Sequence, residues 1–446
     1  MKPVTNQLEM KKSSSESRVL VEHRIHYALP STGNILTSSQ LINHQPMLTS
    51  VNNSQRLQYR INSTTGFHDS HSSYLTGDMV FTLTKLGAGR AGSIGFGKGS
   101  VMNAIDRVML KNAAGDIIID ERNVGQRKYF TNRYEKSEAF LNSVCGGMGY
   151  RTVSADAKED VYSSTQHAFD TTGGTAVVEV SFLIPLTQLG GVFAQNKLLP
   201  PYLTSGAILE IGFYPDATKF MTFDLNRQAA DGVLLPAFTV QDNNMMLKTH
   251  MFNDSTMVAI KKEASRSLGI QMLYTGYEAY EDSSTGTTNY TYQITKSVSN
   301  ATQVFAVEKI VTVLPAVFDI SKEPYGSDPN PVVPIGLSYR LGSLNIPQAP
   351  FSNPSRDELL LHTQTAFEQA GIDERGGMVR RSDVDLLVHA ASFKQTPSDV
   401  SGSAINLGRS LVINIKTAAA VAKNYQFFLK YQKLIRVFID KSIVFE

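Results

Sequence analysis

Apolar and polar residues alternate along this chain in short runs. Met79, Phe81 and Leu83 are interleaved with Val80, Thr82 and Thr84, and Val178, Val180, Phe182 and Ile184 form one face against Glu179 and Ser181. A period of two sends successive side chains to opposite sides of an extended backbone, so each run predicts a strand with one buried face. Residues 105–110 and 117–120 flank Asn112-Ala-Ala-Gly115 and predict a hairpin whose glycine takes the positive φ of the turn. Residues 209–213 and 238–240 continue the series. Beyond Gly269 come further strand patterns at 270–273, 290–294, 304–307, 310–313, 384–388, 411–415, 425–429 and 434–438.

Helical signals are few. One candidate covers Asn132 to Ser143. A second starts with Asp254 or Ser255 as its cap and ends before Gly269. The third opens on the capping box Ser355-Arg-Asp-Glu358, continues through Leu360 and Phe367, and stops at Gly371. The second helix splits the chain into two strand-rich parts with no repeat at the level of identity. Many short strands with Gly- and Asn-rich turns predict sandwiches or barrels rather than an α/β enzyme. The expected organisation is a polar N-terminal arm over 1–45, a first sandwich over 46–252, a linking helix over 253–268 and a second sandwich over 269–446.

Composition narrows the function classes. At 446 residues with 42% hydrophobic side chains, the chain has material for two cores, and its 18% charged residues lie below the usual quarter. Low charge suits a protein that hides surface against copies of itself; the alternative is simply a β-rich protein, whose strands use Thr, Ser, Val and Tyr in place of Lys and Glu. The 42 basic and 40 acidic residues leave a formal charge of +2, without the clustered Lys and Arg of a nucleic-acid binder. Lys11, Lys12 and Arg18 allow at most a weak nucleic-acid contact through the arm. Cys145 is the single cysteine, which excludes an internal disulfide and a cysteine-based zinc site and fits assembly inside a cell. The N-terminus lacks the apolar stretch of a signal peptide, and no apolar run is long enough to span a membrane. Sequons at Asn52, Asn62, Asn253, Asn289 and Asn300 read as products of an Asn/Ser/Thr-rich sequence.

The candidate catalytic motifs are incomplete. Gly92-Ser-Ile-Gly-Phe-Gly97-Lys98 has phosphate-loop spacing, but Gly99 stands where a hydroxyl should hold magnesium, and Val101 to Leu110 reads as a strand, not a helix. His23 with His26, and His68 with His71 beside Asp69, form HxxH pairs in polar, loop-like sequence that read as exposed and without a metal. Ser401-Gly-Ser403 precedes a strand and so is no nucleophile elbow. Glu278, Glu281 and Asp282 read as a solvated loop. No catalytic, cofactor-binding or metal-binding residue is assigned, and no cofactor is expected.

Three further stretches carry a resemblance. The first is Ile184-Pro-Leu186, Phe193, Leu198-Leu-Pro-Pro201 and Leu209-Glu-Ile211. The second is Tyr339-Arg-Leu-Gly-Ser343, Ile346-Pro347 and Pro350-Phe351 followed by a helix. The third is Pro397-Ser398, Ser401-Gly402, Asn406-Leu407, Arg409, Tyr431 and Leu434-Ile-Arg436. In order and spacing over residues 184–446 they resemble the double jelly-roll major capsid proteins of double-stranded DNA viruses: polinton-like viruses, virophages and nucleocytoplasmic large DNA viruses. The chain departs from that pattern in lacking tryptophan and in carrying Asp440-Lys441-Ser442 where a glycine is usual. The resemblance implies an all-β fold of two consecutive eight-stranded jelly-roll sandwiches with a few short helices in the connections. It further implies a structural, non-enzymatic subunit of the virion capsid, forming pseudo-hexameric homotrimers that tile an icosahedral shell. Minor capsid and penton proteins would be its partners, and the N-terminal arm would lie inside. Two other readings are a minor capsid or receptor-binding sandwich protein of a virion, and a carbohydrate-binding or carbohydrate-active sandwich. The last requires paired carboxylates in a cleft or an Asp-rich calcium loop, and the sequence shows neither.

Overall fold

The computed structural model describes residues 36–445 except 53–55, 63–65, 85–90, 97–100, 137–139, 141–147, 149–165, 171–174, 218–219, 224–236, 310–331, 370–387, 395–401, 407 and 421. In chain order the first half contains β1 (Leu36–His44), β2 (Ser50–Asn52), β3 (Arg56–Arg60), β4 (Phe67–Thr84), β5 (Ala91–Phe96), β6 (Ile105–Lys111) and β7 (Ile117–Arg122). Helix α1 (Val124–Glu135) follows, then β8 (Gln166–Asp170), β9 (Thr175–Pro185), β10 (Ile208–Phe213), β11 (Met221–Phe223) and β12 (Ala237–Phe252). Helix α2 (Asp254–Ala264) leads into the second half. There lie β13 (Ile270–Ser284), β14 (Asn289–Ile294), β15 (Val298–Lys309), β16 (Gly336–Leu341), β17 (Leu344–Ser352), helix α3 (Arg356–Gln369), β18 (His389–Ser392), β19 (Ser403–Ile405), β20 (Leu411–Lys416), β21 (Lys423–Val437) and β22 (Ile443–Phe445).

Sheet order gives the two halves one topology. The first half pairs β1-β12-β4-β9 in one sheet and β3-β10-β6-β7 in another, with β2 added to β12 and a small third sheet β11-β5-β8. The second pairs β13-β21-β15-β18 and β14-β20-β16-β17, with β19 and β22 added at the sides. If the eight principal strands of each half are numbered along the chain, both halves read 1-8-3-6 in one sheet and 2-7-4-5 in the other. That is the strand order of a jelly roll, whose paired Greek keys close one sheet over the other. Every pairing between the named strands is antiparallel, as hairpin and Greek-key connections require.

Local chemistry sets several of these elements. In the β6–β7 hairpin the Asn112 side-chain oxygen accepts the Asp116 amide at 2.7 Å and Gly115 takes φ 95°. In β9, Val178, Val180, Phe182 and Ile184 are all buried, on one face. For α3, Ser355 Oγ accepts the Glu358 amide at 3.1 Å, the first bond of the expected box. Helix α2 is capped one residue earlier than expected, since Asn253 Oδ1 accepts the Thr256 amide at 3.0 Å.

Other expectations need correction. Helix α1 occupies Val124–Glu135 rather than Asn132–Ser143; all its residues except Glu135 are buried, so no apolar stripe marks it. The last residues of the expected arm form β1, paired with β12 from Leu36 to His44. Glu278, Glu281 and Asp282 lie within strand β13, and the two runs at 425–429 and 434–438 belong to one strand, β21. The runs at 310–313 and 384–387, Gly371, Cys145, Pro397, Ser398, Ser401, Leu407 and residues 1–35 lie outside the described residues.

Two apolar clusters make the interior. One fills the second roll between its sheets, with Val304, Ala306, Tyr425, Phe427 and Leu429 among its members. The other fills the first roll and continues without a break onto the outer face of the second, through Ile270, Met272, Tyr274, Phe305, Val307, Phe428, Ile435 and Val437. The central strands β15 and β21 of sheet β13-β21-β15-β18 are therefore buried on both faces along 301–308 and 425–430. This explains why Val304-Phe-Ala-Val307 reads as a continuous apolar run and not as an alternation. A fully buried side chain of this size contributes about 1.5–3 kcal/mol, so the shared face binds the rolls as a core does. No described helix is long and apolar enough to cross a membrane.

Candidate functional site

A set of buried charged and polar contacts lies where the two rolls meet, and helix α1 organises it. The helix leaves β7 through Asn123, whose left-handed φ of 53° turns the chain sharply after Glu121 and Arg122. Arg127 on α1 then faces back to Glu121. Its guanidinium donates to Glu121 Oε2 and stacks over the ring of Tyr277, 4.0 Å from the centroid. Tyr277 belongs to β13 of the second roll, so one cation grips both rolls. The Arg127 and Glu121 side chains are 1% and 4% exposed, which makes this a dry pair. Gly190, with φ 86°, passes so close that a Cβ there would sit 2.9 Å from Glu121 Oε2.

The far end of α1 repeats the pattern. Glu135 accepts from Lys430 of β21 at 3.0 Å, and Lys430 also lies 5.9 Å from the Tyr277 ring centre. Tyr134 stacks on Phe367 of α3 with centroids 4.6 Å apart and planes 9° from parallel, and Phe367 in turn meets Phe305 at 5.5 Å. Tyr274 donates its hydroxyl to the Ile118 carbonyl at 2.6 Å. At the edge of the seam Asn112 Nδ2 reaches the Lys441 carbonyl at 3.3 Å, while Lys441 Nζ donates to Ser205 Oγ at 3.1 Å.

Electrostatics follow from burial. Burial raises the Glu121 carboxyl despite Arg127 and Lys128 nearby. Burial alone would raise Glu135 too, but Lys430, with Lys128 and Lys136 behind it, holds that carboxyl below its ordinary value. Burial, helped by Arg127, pushes the Lys128 ammonium down to about 7. Removing ions from water costs several kcal/mol each, which a good partner offsets without much surplus. The apolar face supplies the affinity between the rolls, and the ion pairs fix their relative position. This arrangement presents no nucleophile with a base and an oxyanion site. Among the described residues no group of three or more His, Cys, Asp and Glu could hold a metal ion.

The motifs singled out in the sequence do not converge on this seam. Gly92 to Phe96 lie in β5, paired with β8 and β11, and Val101–Ala104 forms a 3-10 turn before β6; Gly97, Lys98 and Gly99 lie outside the described residues. Gly402, beside Ser401, donates its amide to Asn300 Oδ1, and Ser403 opens β19. Glu278 pairs with Lys296, Glu281 with Lys309 at 2.8 Å, and Asp282 accepts from Tyr290 at 2.9 Å, so these carboxylates brace strands. His68 is not exposed: it is 1% accessible in β4 and its Nδ1 meets Thr249 Oγ1 at 3.0 Å. His71 is exposed, as expected. His23 and His26 lie outside the described residues. The seam residues Glu121, Arg127, Glu135, Tyr277 and Lys430 escaped the sequence reading. Lys430 carried the one available signal, a charge closing the apolar run 425–429.

No protein-family model and no curated protein matches the sequence. Solved structures do. The chain is similar to the Faustovirus major capsid protein, with 7% identity, a TM-score of 0.59 and 93% of each chain covered. It is similar to a chain in the structure of the Sputnik virophage, with 10% identity, a TM-score of 0.59, and 100% of this chain and 92% of that one covered. The mavirus major capsid protein gives 10% identity, a TM-score of 0.51, and coverage of 100% and 95%. At such identities the likeness speaks for the fold, and together with the twice-repeated strand order it establishes that this chain is a double jelly roll.

Proposed function

We propose that the chain is the major capsid protein of a virus, a structural subunit without catalytic residues that acts as a homotrimer. The observation that carries this reading is the pair of rolls with one strand order, locked by a dry seam and alike over their whole length to viral capsid proteins. Two similar rolls side by side give one subunit two similar lateral faces. Three subunits about a threefold axis then present six, a near-hexagonal tile whose repeated contacts close an icosahedral shell. The rolls span residues 46–252 and 269–446, joined by 253–268, with β1 added to the first. In this reading the chain assembles in the host cell with minor capsid and penton proteins, and residues preceding β1 face the interior, where Lys11, Lys12 and Arg18 meet nucleic acid at most weakly.

Light scattering on the purified chain tests the trimer, and negative stain tests its outline. The expected result is a particle of three chain masses with a hexagonal silhouette. A chain that stays monomeric at high concentration on every isolation route overturns the proposal.

A further inference from the structure

Each roll contains a pair of neighbouring histidines, of which His44, His68 and His389 are buried and His362 is half-buried. In the first, His44 ends β1 and His68 lies on β4; they are 6% and 1% accessible, and Nε2 of each is buried without a hydrogen-bond partner among the described residues. In the second, His362 lies on α3 and His389 on β18; His389 is 2% accessible and its Nδ1 is likewise buried without a partner. The members of each pair are close enough to disfavour each other's charge.

The surroundings offer little to stabilise a cation. Around the first pair, β12 presents Thr249 to His68 and the Arg60 backbone on β3 meets His44, while Asp69 and Lys248, the strand neighbours of His68 and Thr249, lie on the opposite face with His250. Asp69 is already engaged by the His71 amide at 3.1 Å and the Ser72 hydroxyl at 3.0 Å, and it sits 3.8 Å from His250 Nε2. The backbone hydrogen bonds of His44 with Arg60 and of His362 with Ala390 favour the charged rings but are outweighed by burial. Around the second pair, α3 contributes Thr363, bonded to the Val388 carbonyl at 2.8 Å, β17 contributes Phe351, edge-on to His362, and β15 pairs Ala306 with His389.

We propose that the two histidine pairs are acid-operated releases, one in each roll, which free β1 from the first sheet and α3 from β18 as pH falls below neutrality. Each pair spans elements that close a roll: β1 is an edge strand held through β12, and α3 packs directly on β18. A proton taken up by either imidazole places a charge in a buried site beside another imidazole, and the element moves outward to hydrate it. Burial lowers all four rings, His68 and His389 to about 4 each. A lowered histidine stabilises the fold fully above its unfolded value of about 6.5 and loses that contribution as pH falls toward the folded value. For each of His68 and His389 the folded-to-unfolded ratio therefore drops roughly 20-fold between pH 7 and pH 5.

The test is urea denaturation of the full chain, in its native oligomeric state, at pH 7 and pH 5, for the natural sequence and for His68→Gln with His389→Gln. The natural chain is expected to lose stability over that interval, and the double variant to lose several hundred-fold less of the folded-to-unfolded ratio. If the variants do not fold, hydrogen exchange of the natural chain, corrected for intrinsic pH dependence, decides the matter. Protection should fall first in β1 and α3. An equal pH dependence in variant and natural chains, or loss of protection spread evenly over both rolls, overturns the proposal.

Discussion

Replacing Arg127 with methionine removes the cation that joins Glu121 to Tyr277 while keeping most of the apolar stem. Glu121 is then left in a site 4% exposed with its main partner gone. Breaking a buried pair in this way costs about 3–5 kcal/mol. The carboxylate has an escape, because it can take up a proton. Neutralising a carboxyl of ordinary pKa near 4.5 at pH 7 costs about 3.4 kcal/mol, at 1.36 kcal/mol per unit, and at pH 5 only about 0.7. Loss of the cation–π contact adds about 1–2 kcal/mol at either pH. Arg127→Met should therefore destabilise the chain by roughly 4–5 kcal/mol at pH 7 and by roughly 2 at pH 5. Adding Glu121→Gln should recover most of the deficit at pH 7. The chain has no tryptophan, so far-UV circular dichroism in urea is the natural signal, read as the difference from the unsubstituted chain at each pH. A deficit below about 1 kcal/mol at pH 7, a deficit that does not shrink at pH 5, or a double variant as weak as the single would refute the dry-pair reasoning.

Other positions make the seam testable from different sides. Gly190→Ala meets both a positive φ and the Glu121 carboxylate, so melting should show a loss of at least about 1–2 kcal/mol. Lys430→Met strands Glu135; because that carboxyl is held low, the pair's contribution is present above about pH 4.5 and fades as pH falls, so the variant's deficit should narrow in acid. Tyr134→Ala deletes the ring stacked on Phe367 and should cost about 3–5 kcal/mol in equilibrium denaturation, with limited proteolysis opening the seam first. Asn253→Ala removes the α2 cap together with the acceptor of the Ser255 hydroxyl and should cost about 1 kcal/mol in equilibrium denaturation.

Sequence by itself determined what short-range chemistry controls. The period-2 faces of β4 and β9, the Asn112–Gly115 turn and the Ser355 cap each depend on residues within a few positions of one another, and the structure reproduces them. The resemblance of three ordered segments added the two-roll plan. Tertiary structure decided what depends on distant partners. Helix α1 is buried on every side between two rolls, so its polar sequence shows no stripe and its bounds could not be placed. His68 reads as an exposed loop residue until β12 brings Thr249 to it. Leu36–His44 reads as an arm until β12, about two hundred residues later in the chain, provides its strand partner. Glu278 and Glu281 become strand residues only when β21 lines up beside them. The order 1-8-3-6 with 2-7-4-5, and the seam of Arg127, Glu121, Tyr277, Glu135 and Lys430, arise from pairings across the whole chain. A strand's alternation reports which face is buried but carries no label for the strand beside it, and a charge's sign does not say which distant charge it will meet in the dry.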